Sequence, residues 1–295
     1  MKERPHALLY TLIALMVLCW SANYSIAKIA LLEFPPLLLC GLRITLAALL
    51  MAPIYLLQRG DATWGVRDLP ILLYLSLFGV TLNQLCFLIG LSRTSVVHSV
   101  LIISMTPILV LLIAGLMKQE RITVRKAAGM LIAIAGVGIL QALPPIDATP
   151  AARPTLLGDL FVFIAALTFS GFTVVGKTAT LRHSSITVNT FTYVAGALAL
   201  APMTIYQSRN FSFSSVSSAG WATMVYMALF PSVICYLIFY YALGRISASR
   251  VSAFSYLQPV IATAIAVIAL RERVTLPMVA AGIVIFSGVY LAERG

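Results

Sequence analysis

Long apolar stretches alternate with short polar connections along the whole chain. A helix needs about 20 mostly apolar residues to cross the hydrocarbon core of a bilayer. Backbone groups in lipid must be hydrogen-bonded within the segment, so runs of this length predict helices. The predicted spans are Ala7–Leu31, Pro36–Gln58, Leu69–Ser92, Ser95–Met117, Val124–Leu143, Leu156–Leu181, Ser185–Tyr206, Gly220–Leu243, Ser247–Leu270 and Thr275–Leu291.

One pattern of residues occurs twice. Residues 91–123 and 243–275 align without a gap, so that Pro107 meets Pro259 inside matching apolar runs. Both segments also end in an acidic–basic pair followed by a threonine two positions on. A register that is kept across a proline and a charged exit indicates an internal duplication.

The duplication divides the chain into three parts. We predict a first five-helix repeat over 1–143, a proline-rich connecting loop over 144–154, and a second repeat over 155–295. Because five is odd, the second repeat must enter the membrane from the opposite side. The predicted fold is therefore an all-α integral membrane protein of ten transmembrane helices, built as two inverted repeats around a central cavity.

Composition and charge agree with a membrane protein. Hydrophobic residues make up 61% of the chain and charged residues 10%, with a mean hydropathy of +1.00. The net charge of +11 lies mostly in short connections, so we expect a topogenic role and no nucleic-acid partner. Lys and Arg are most frequent on the side of the N-terminus, which predicts cytoplasmic N- and C-termini in the cell inner (plasma) membrane.

Polar and aromatic side chains recur on one face of several predicted spans. The polar groups are costly in lipid and usually face a cavity or a neighbouring helix. We therefore expect them to line one shared cavity. The candidates are Trp20, Asn23, Tyr24, Lys28, Arg43, Asn83, Gln84, His98, Met105, Phe169, Thr173, Lys177, Tyr236, Tyr240, Ser255 and Tyr256.

Six of these candidates have a structural alternative, which for Asn23 and Tyr24 is hydrogen bonding between helices. Lys28 and Lys177 lie near span ends, where a lysine can direct its amine toward the interface. Arg43 could instead pair with Glu33 or with carbonyls at helix ends. A single histidine such as His98 is more often a packing residue than a titrating group.

Pro107 and Pro259 interrupt matching spans. Each proline removes one helical hydrogen bond and would free the carbonyl four residues earlier, at Ile103 and Ser255. Broken helices at matching places in two repeats indicate a binding site or hinge, and a simple packing kink is the alternative. The fifth and tenth spans contain small and aliphatic residues, which suits peripheral packing and a homo-oligomer through these helices.

Acidic groups are scarce inside the spans. Asp159 and Glu33 lie near predicted span ends, and no carboxylate lies near the middle of a span. A relay of carboxylates for protons is therefore not predicted, and uniport or coupling through another group both stay open. The chain also lacks an H-E-x-x-H motif, paired mid-span aspartates and a recognisable ion filter. These absences argue against an intramembrane enzyme and against a channel, and we expect no metal and no cofactor.

The residues just described resemble a known family over the whole chain. They include the W-S-A-N-Y…K pattern of Trp20–Lys28, the in-span Arg43, and the P…(R/Q)ER(I/V)T ends at Pro107–Thr123 and Pro259–Thr275. This set is similar to the EamA branch of the drug/metabolite transporter superfamily. The resemblance implies ten helices, a central cavity between the halves, and peripheral fifth and tenth helices.

The resemblance also implies a function. Members of the branch include exporters of amino acids and other small metabolites, and this chain is most similar to aromatic amino acid exporters of the YddG type. Cavity roles carry over to Trp20, Lys28 and Arg43, whereas the second repeat has Phe169 and Thr192 in place of the tryptophan and the arginine. We expect a secondary transporter that exports aromatic or large neutral amino acids by alternating access. The alternative is an exporter of cationic or amphipathic drugs or other metabolites.

Overall fold

A computed structural model describes residues 4–58, 65–118, 123–142, 154–246, 248–271 and 273–294, and in these residues the chain is helical without strands. In the first half, the helical segments join into five rods. They are α1 (Arg4–Ala30), α2 (Pro36–Leu57), α3 (Val66–Leu91), α4 (Val96–Leu116) and α5 (Val124–Ala142).

The second half of the described chain repeats this arrangement. Its helical rods are α6 (Leu156–Thr180), α7 (Ser185–Arg209), α8 (Ser218–Leu243), α9 (248–270) and α10 (Leu276–Arg294). The all-helical prediction is therefore confirmed for the described residues.

Most of these helices are able to span a membrane. Among the described residues, seven helices are long and apolar enough, namely those of α1 to α4 and of α6 to α8. The apolar parts of α9 and α10 are shorter, at Gln258–Leu270 and Leu276–Gly288. The chain is thus a multi-pass membrane protein, and the count of ten spans stays a prediction.

Several helices begin at a hydroxyl residue that caps the first turn. In each, the side-chain oxygen accepts a hydrogen bond from the backbone N–H three residues later, which stabilises the helix start by about 1 kcal/mol. The capping residues are Ser95 of α4, Thr155 of α6, Ser184 of α7 and Ser217 of α8.

Wide π-helical turns interrupt α3 and α8 at matching places. The first covers Leu75–Leu82 and the second Ala228–Ile234, and the repeat alignment superposes them. Pro231 lies inside the second stretch, and the Ser232 hydroxyl donates to the Met227 carbonyl five residues back, at 3.0 Å. Such turns redirect side chains and are frequent at functional sites.

Helices α4 and α9 break where the sequence has its matched prolines. In α4 the break lies at Ser104 and Met105, and Pro107 occupies the first turn of the following helix. In α9 a 3₁₀ turn precedes Pro259, which holds the same position. A proline there loses no helical hydrogen bond because the first-turn N–H groups have no partner inside the helix. Hinge motion at these breaks stays a prediction.

One predicted consequence of Pro107 requires a correction. The Ile103 carbonyl is not free, because it accepts a hydrogen bond from the Thr106 hydroxyl at 2.6 Å. A buried carbonyl without a partner is costly, and the neighbouring threonine removes that cost. This carbonyl is therefore a poor candidate for binding a ligand.

The helices pack in pairs that repeat between the two halves. Helix α2 packs on α7, α3 on α6, α1 on α8, and α5 on α10. At Gly136 a Cβ atom would meet Ile285 Cγ1 at 2.7 Å, and at Gly288 it would meet the Ala133 backbone. The small residues of α5 and α10 thus face each other within one chain.

Candidate functional site

A cavity lies between the helices near the breaks just described. Its lining joins α1, α2, α3, α4, α6, α8 and α9, so both repeats contribute. The lining residues are Trp20, Asn23, Tyr24, Arg43, Asn83, Gln84, Phe87, Ile103, Thr106, Phe169, Tyr236, Ser255 and Gln258. Nine of these were candidates from the sequence.

Aromatic rings form one wall of the cavity. The Trp20 ring lies 5.8 Å from Phe169 and 5.9 Å from Tyr236, both at nearly perpendicular angles. Tyr24 and Phe87 form a similar edge-to-face pair at 5.3 Å. Edge-to-face contacts between aromatic rings are favourable beyond their buried area, so this wall is held rigidly.

The wide turns of α3 and α8 hold this wall in position. The indole Nε1 of Trp20 donates to the Pro231 carbonyl at 3.2 Å, and the Tyr236 hydroxyl donates to the Gly79 carbonyl at 3.1 Å. Both carbonyls belong to π-helical stretches. Gly79 has no room for a Cβ atom because the Phe172 ring occupies that space. Each repeat thus anchors an aromatic ring of the cavity.

Arg43 supplies the positive charge of the cavity. Its side chain is buried, and its Nε donates to the Ser232 hydroxyl at 2.8 Å. Among the described residues no carboxylate forms an ion pair with it. Glu33, the partner considered from the sequence, instead accepts hydrogen bonds from Ser217 at 2.6 and 2.7 Å. The guanidinium is therefore available to an anionic group in the cavity.

Amide side chains supply acceptors beside this charge. Gln84 donates through Nε2 to the Tyr193 hydroxyl at 2.7 Å, and its buried Oε1 has no hydrogen-bond partner. The buried Oδ1 of Asn23 also lacks a partner. Asn83 has a backbone partner, because its Nδ2 donates to the Ala165 carbonyl at 2.8 Å. Two acceptor oxygens thus remain for a ligand.

The two lysines lie outside the lining of this cavity. The Nζ of Lys28 donates to the Leu91 and Thr94 carbonyls at 2.7 and 2.6 Å. Lys177, its repeat counterpart, donates to the Leu243 carbonyl and to the Ile246 carbonyl at 2.9 Å. Each lysine therefore caps the end of a helix from the same repeat. Positive charge is favourable at the carbonyl end of a helix.

Other candidates also lie behind the cavity wall. His98 Nδ1 is 3.0 Å from Asp159 Oδ2, the Thr173 hydroxyl donates to the Phe169 carbonyl at 2.8 Å, and Met105 is buried. Tyr240 is fully buried with its ring 5.6 Å from Phe172. The Tyr256 side chain lies outside the part that the structure describes.

The candidate list did not include four residues of the lining. Phe87 shares the polar–aromatic face of α3 with Asn83 and Gln84, as the sequence predicts, and Ile103 and Thr106 are close neighbours of the candidate Met105 in α4. Gln258 directly precedes the second proline and accepts a hydrogen bond from the Tyr24 hydroxyl at 3.4 Å. A polar residue next to a helix-breaking proline was the signal available in the sequence.

The described residues offer no metal site. Within them, no three His, Cys, Asp or Glu residues lie close enough together to hold a metal ion. The four cysteines are unpaired and buried.

Comparison with known proteins assigns the chain to a family. The sequence profile of the EamA-like transporter family matches twice, over residues 7–141 and 156–293. The chain belongs to the EamA-like transporter family. The resemblance to this family that the sequence showed is confirmed.

Relatives of this EamA transporter are similar over nearly their whole length. An uncharacterized transporter of Archaeoglobus fulgidus is 27% identical, covering 99% of this chain and 98% of the relative. A probable terminal-alkyne amino-acid exporter of Streptantibioticus cattleyicolor is 24% identical, covering 96% and 92%. A probable amino-acid metabolite efflux pump of Escherichia coli is 24% identical, covering 95% and 93%.

A solved structure shares the fold. One crystal structure superposes with a TM-score of 0.67 at 20% identity and covers 97% of this chain and 96% of its own. The arrangement of helices is thus that of a known protein. At this identity the likeness concerns the fold alone.

Proposed function

We propose that this EamA-family transporter exports amino acids with aromatic or large neutral side chains. The cavity between the two repeats is the proposed binding site, and the central observation is its set of complementary groups. Arg43, two amide side chains with unpartnered acceptor oxygens and an aromatic wall line the same cavity. Two relatives that are named for the export of an amino acid or its metabolites support this class of substrate.

The carboxylate of the substrate is assigned to Arg43. A guanidinium binds a carboxylate through paired, charge-assisted hydrogen bonds. Because Nε is already bonded to Ser232, the guanidinium is held in one orientation. No carboxylate is present among the described lining residues to compete for this charge.

The ammonium group is assigned to the amide oxygens of Gln84 and Asn23. Both atoms are buried acceptors without a partner, and an unsatisfied buried acceptor costs about 1–3 kcal/mol. An ammonium donor removes that cost on binding. A carbonyl freed by Pro107 is no longer needed for this role, because Thr106 satisfies it.

The side chain of the substrate is assigned to the aromatic wall. Flat apolar groups gain contact area and edge-to-face interactions there. Binding through apolar contact discriminates poorly between similar side chains, so Phe, Trp, Tyr, Met and Leu are all expected as substrates. Asp, Glu and Lys are expected to be rejected, because a second charge would lose its water in this pocket.

Alternating access between two inverted repeats is the proposed mechanism. Matched features in the two halves support it: paired π-helical turns, paired lysine caps and paired breaks before proline. In this proposal the protein crosses the cell inner membrane ten times, with both termini in the cytoplasm. Its partners are the bilayer and a small-molecule substrate. A homo-oligomer through α5 and α10 is a weaker proposal, because their small residues already face each other.

The test is flux in liposomes that contain the purified transporter. Labelled phenylalanine is expected to move and to be slowed by excess tryptophan, tyrosine or leucine, whereas aspartate moves at the rate of empty liposomes. A lipophilic cation such as tetraphenylphosphonium tests the alternative of drug export. Rapid movement of the cation without movement of phenylalanine would favour that alternative, and rapid aspartate flux would contradict the proposed substrate class.

A further inference from the structure

A second group of buried polar side chains lies away from the cavity. The Thr94 hydroxyl donates to Asp159 Oδ1, and His98 Nδ1 lies 3.0 Å from Asp159 Oδ2. The side chains of His98 and Asp159 are 8% and 3% exposed. The Thr94 carbonyl also accepts from Lys28 at 2.6 Å. Neither His98 nor Asp159 lines the cavity, so substrate binding leaves this group unexplained.

This group joins the two halves of the chain at one end of the bundle. His98 is in α4 of the first half and Asp159 is in the first turn of α6 in the second half. Backbone contacts reinforce the same junction, since Thr155 donates to the Arg93 carbonyl through N at 3.0 Å and through Oγ1 at 2.8 Å. We call this the Asp159 end. Opening the cavity here separates α4 from α6 and breaks the His98–Asp159 contact.

The opposite end of α6 is built differently. There the repeat alignment puts Ile246 in the place of Thr94 and Arg250 in the place of His98. A histidine and an aspartate do meet at this end, with His183 Nε2 3.3 Å from Asp68 Oδ1. Asp68, however, is partly exposed and also accepts a hydrogen bond from the Gly65 N–H. We call this the His183 end, and it provides a control for the buried pair.

We propose that His98 and Asp159 form a proton-binding site through which pH controls the opening of the Asp159 end. Histidine is the side chain that ordinarily changes charge between pH 5 and 8. Hydronium transfers its proton to the imidazole and leaves water. The resulting imidazolium forms a charge-assisted hydrogen bond with the buried carboxylate. That bond exists only while the end is closed, so proton binding favours closure by linkage.

The other charged groups near the imidazole are a lysine and an arginine, residue types whose ordinary pKa values lie above this range of pH. Lys28 is held on helix-end carbonyls, and Arg93 lies 5.9 Å above the Phe161 ring. Helix α9, which packs against α4, has no titratable side chain over Gln258–Leu270, and α6 otherwise contributes only Lys177 at its far end. Helix α5 contributes arginine and lysine in its first turn alone. The proposal therefore assigns the proton to the His98–Asp159 pair and to no other group of this junction.

The consequence for transport rests on the proposed function, whereas the site itself does not. In an alternating-access cycle, a proton that closes one end favours opening of the other. Low pH at the Asp159 end would then return the empty transporter toward the opposite side. Export would be coupled to proton supply without any carboxylate in the middle of a span.

The experiment measures the opening of each end directly in the purified full-length protein, without substrate. Two single-cysteine reporters replace buried serines in a background whose four native cysteines are alanine: Ser99→Cys at the Asp159 end and Ser252→Cys at the His183 end. A water-soluble maleimide labels each reporter between pH 5.5 and 8.5. At each pH, the labelling rate of a reporter is divided by the labelling rate of the same reporter in a His98→Gln protein. This division removes the effect of thiol ionisation on the labelling rate.

We expect the normalised rate of the Ser99→Cys reporter to fall about fivefold or more from pH 8 to pH 5.5. The Ser252→Cys rate is not expected to fall. His183→Gln should leave this response intact, and Asp159→Asn should abolish it. A Ser99→Cys rate without pH dependence, or a response that disappears in His183→Gln and not in Asp159→Asn, would overturn the proposal.

If His98→Gln does not fold, the uncorrected rates of the Ser99→Cys and Ser252→Cys reporters are compared with each other at each pH. Their ratio must then fall with acidity in the native background and stay constant in Asp159→Asn. Because no substrate is present, a protein that fails to transport phenylalanine can still satisfy this test. Failure of the proton site and failure of the proposed function are thus distinguishable.

Discussion

At the scale of single residues, the lysines and the arginine inside the helices of this transporter have two kinds of partner. Lys28 and Lys177 donate to carbonyls at helix ends of their own repeats. Arg43 donates through Nε to one hydroxyl and lines the cavity. The helix ends account for the two lysines, because positive charge is favourable beside helix-end carbonyls. The arginine lies where a ligand can reach it.

Arg43→Gln is expected to reduce phenylalanine flux about ten- to hundredfold while the protein keeps its expression and unfolding temperature. Loss of a charge-assisted hydrogen bond corresponds to about 1.5–3 kcal/mol of binding. Flux in liposomes and thermal unfolding are measured on the same preparation. Arg209→Gln, at the exposed last residue of α7, is the matched control and should behave as the unmodified protein. A variant that loses stability instead of flux would assign Arg43 a structural role.

Glu33 provides a pH-dependent contact outside the spans. Two hydrogen bonds lower the pKa of Glu33. The larger effect comes from the Ser217 hydroxyl and the smaller from the Ser217 backbone N–H. Because the pKa is lowered, this contact stabilises the fold at pH values above the ordinary glutamate pKa of about 4.3. The stabilisation is lost as the pH falls through the lower pKa of the folded state. Glu33→Gln should therefore unfold at a temperature that depends less on pH between about 6 and 3. An unfolding temperature that depends equally on pH in Glu33→Gln and in the unmodified protein would contradict this assignment.

At the scale of elements, irregular turns determine the site. The π-helical stretches of α3 and α8 provide the Gly79 and Pro231 carbonyls that hold Tyr236 and Trp20. A regular helix would bond those carbonyls internally, and the rings would lose their anchors. Apolar periodicity does not reveal such a turn, because one extra residue changes the register without changing composition.

The contact between α5 and α10 also depends on a small residue. Gly288→Ala adds a Cβ atom that would overlap the Ala133 backbone, and overpacking of this kind costs about 1–3 kcal/mol. We expect a lower unfolding temperature in detergent. Gly176→Ala is the control, because its Cβ would meet Leu243 Cδ1 at 3.5 Å, an ordinary contact. Equal unfolding temperatures for both variants would show that α5 and α10 are not packed as described.

At the scale of the whole molecule, contacts made in one half of the chain recur at the matching positions of the other. The helix pairs and the lysine caps follow this rule, and the His98–Asp159 contact departs from it. In this proposal the architecture that the two halves share forms the carrier. The His98–Asp159 contact, which departs from the repeat, makes the two ends of the carrier respond differently to pH.

Topology is a prediction at this scale. With both termini in the cytoplasm, the loop between α7 and α8 faces outward and the turn between α6 and α7 faces inward. A cysteine at Ser214 should react with an impermeant thiol reagent added to intact cells, and one at Arg182 should react only after permeabilisation. Both positions are exposed. The reverse pattern would invert the orientation.

Much of this architecture could be predicted from the sequence, for physical reasons that differ between features. The apolar runs gave helix positions because lipid imposes a minimum length. Arg43 could be proposed as a cavity residue because a charged group is costly in lipid, and Trp20 because it shares one helix face with polar residues. The partners of Lys28 and His98 could not be identified, since they lie more than 60 positions along the chain. The hydrogen bond to the Ile103 carbonyl could not be predicted either, because it depends on the geometry of the neighbouring threonine.

The most direct test of the central claim compares phenylalanine with two analogues that each lack one charge. Phenethylamine has no carboxylate for Arg43, and 3-phenylpropionate has no ammonium for Gln84 and Asn23. We expect phenylalanine to drive rapid exchange of labelled phenylalanine across liposomes containing the transporter, and each analogue to compete at least about tenfold less well. Equal competition by all three compounds, or no exchange of phenylalanine, would contradict the assignment of this cavity to amino acids.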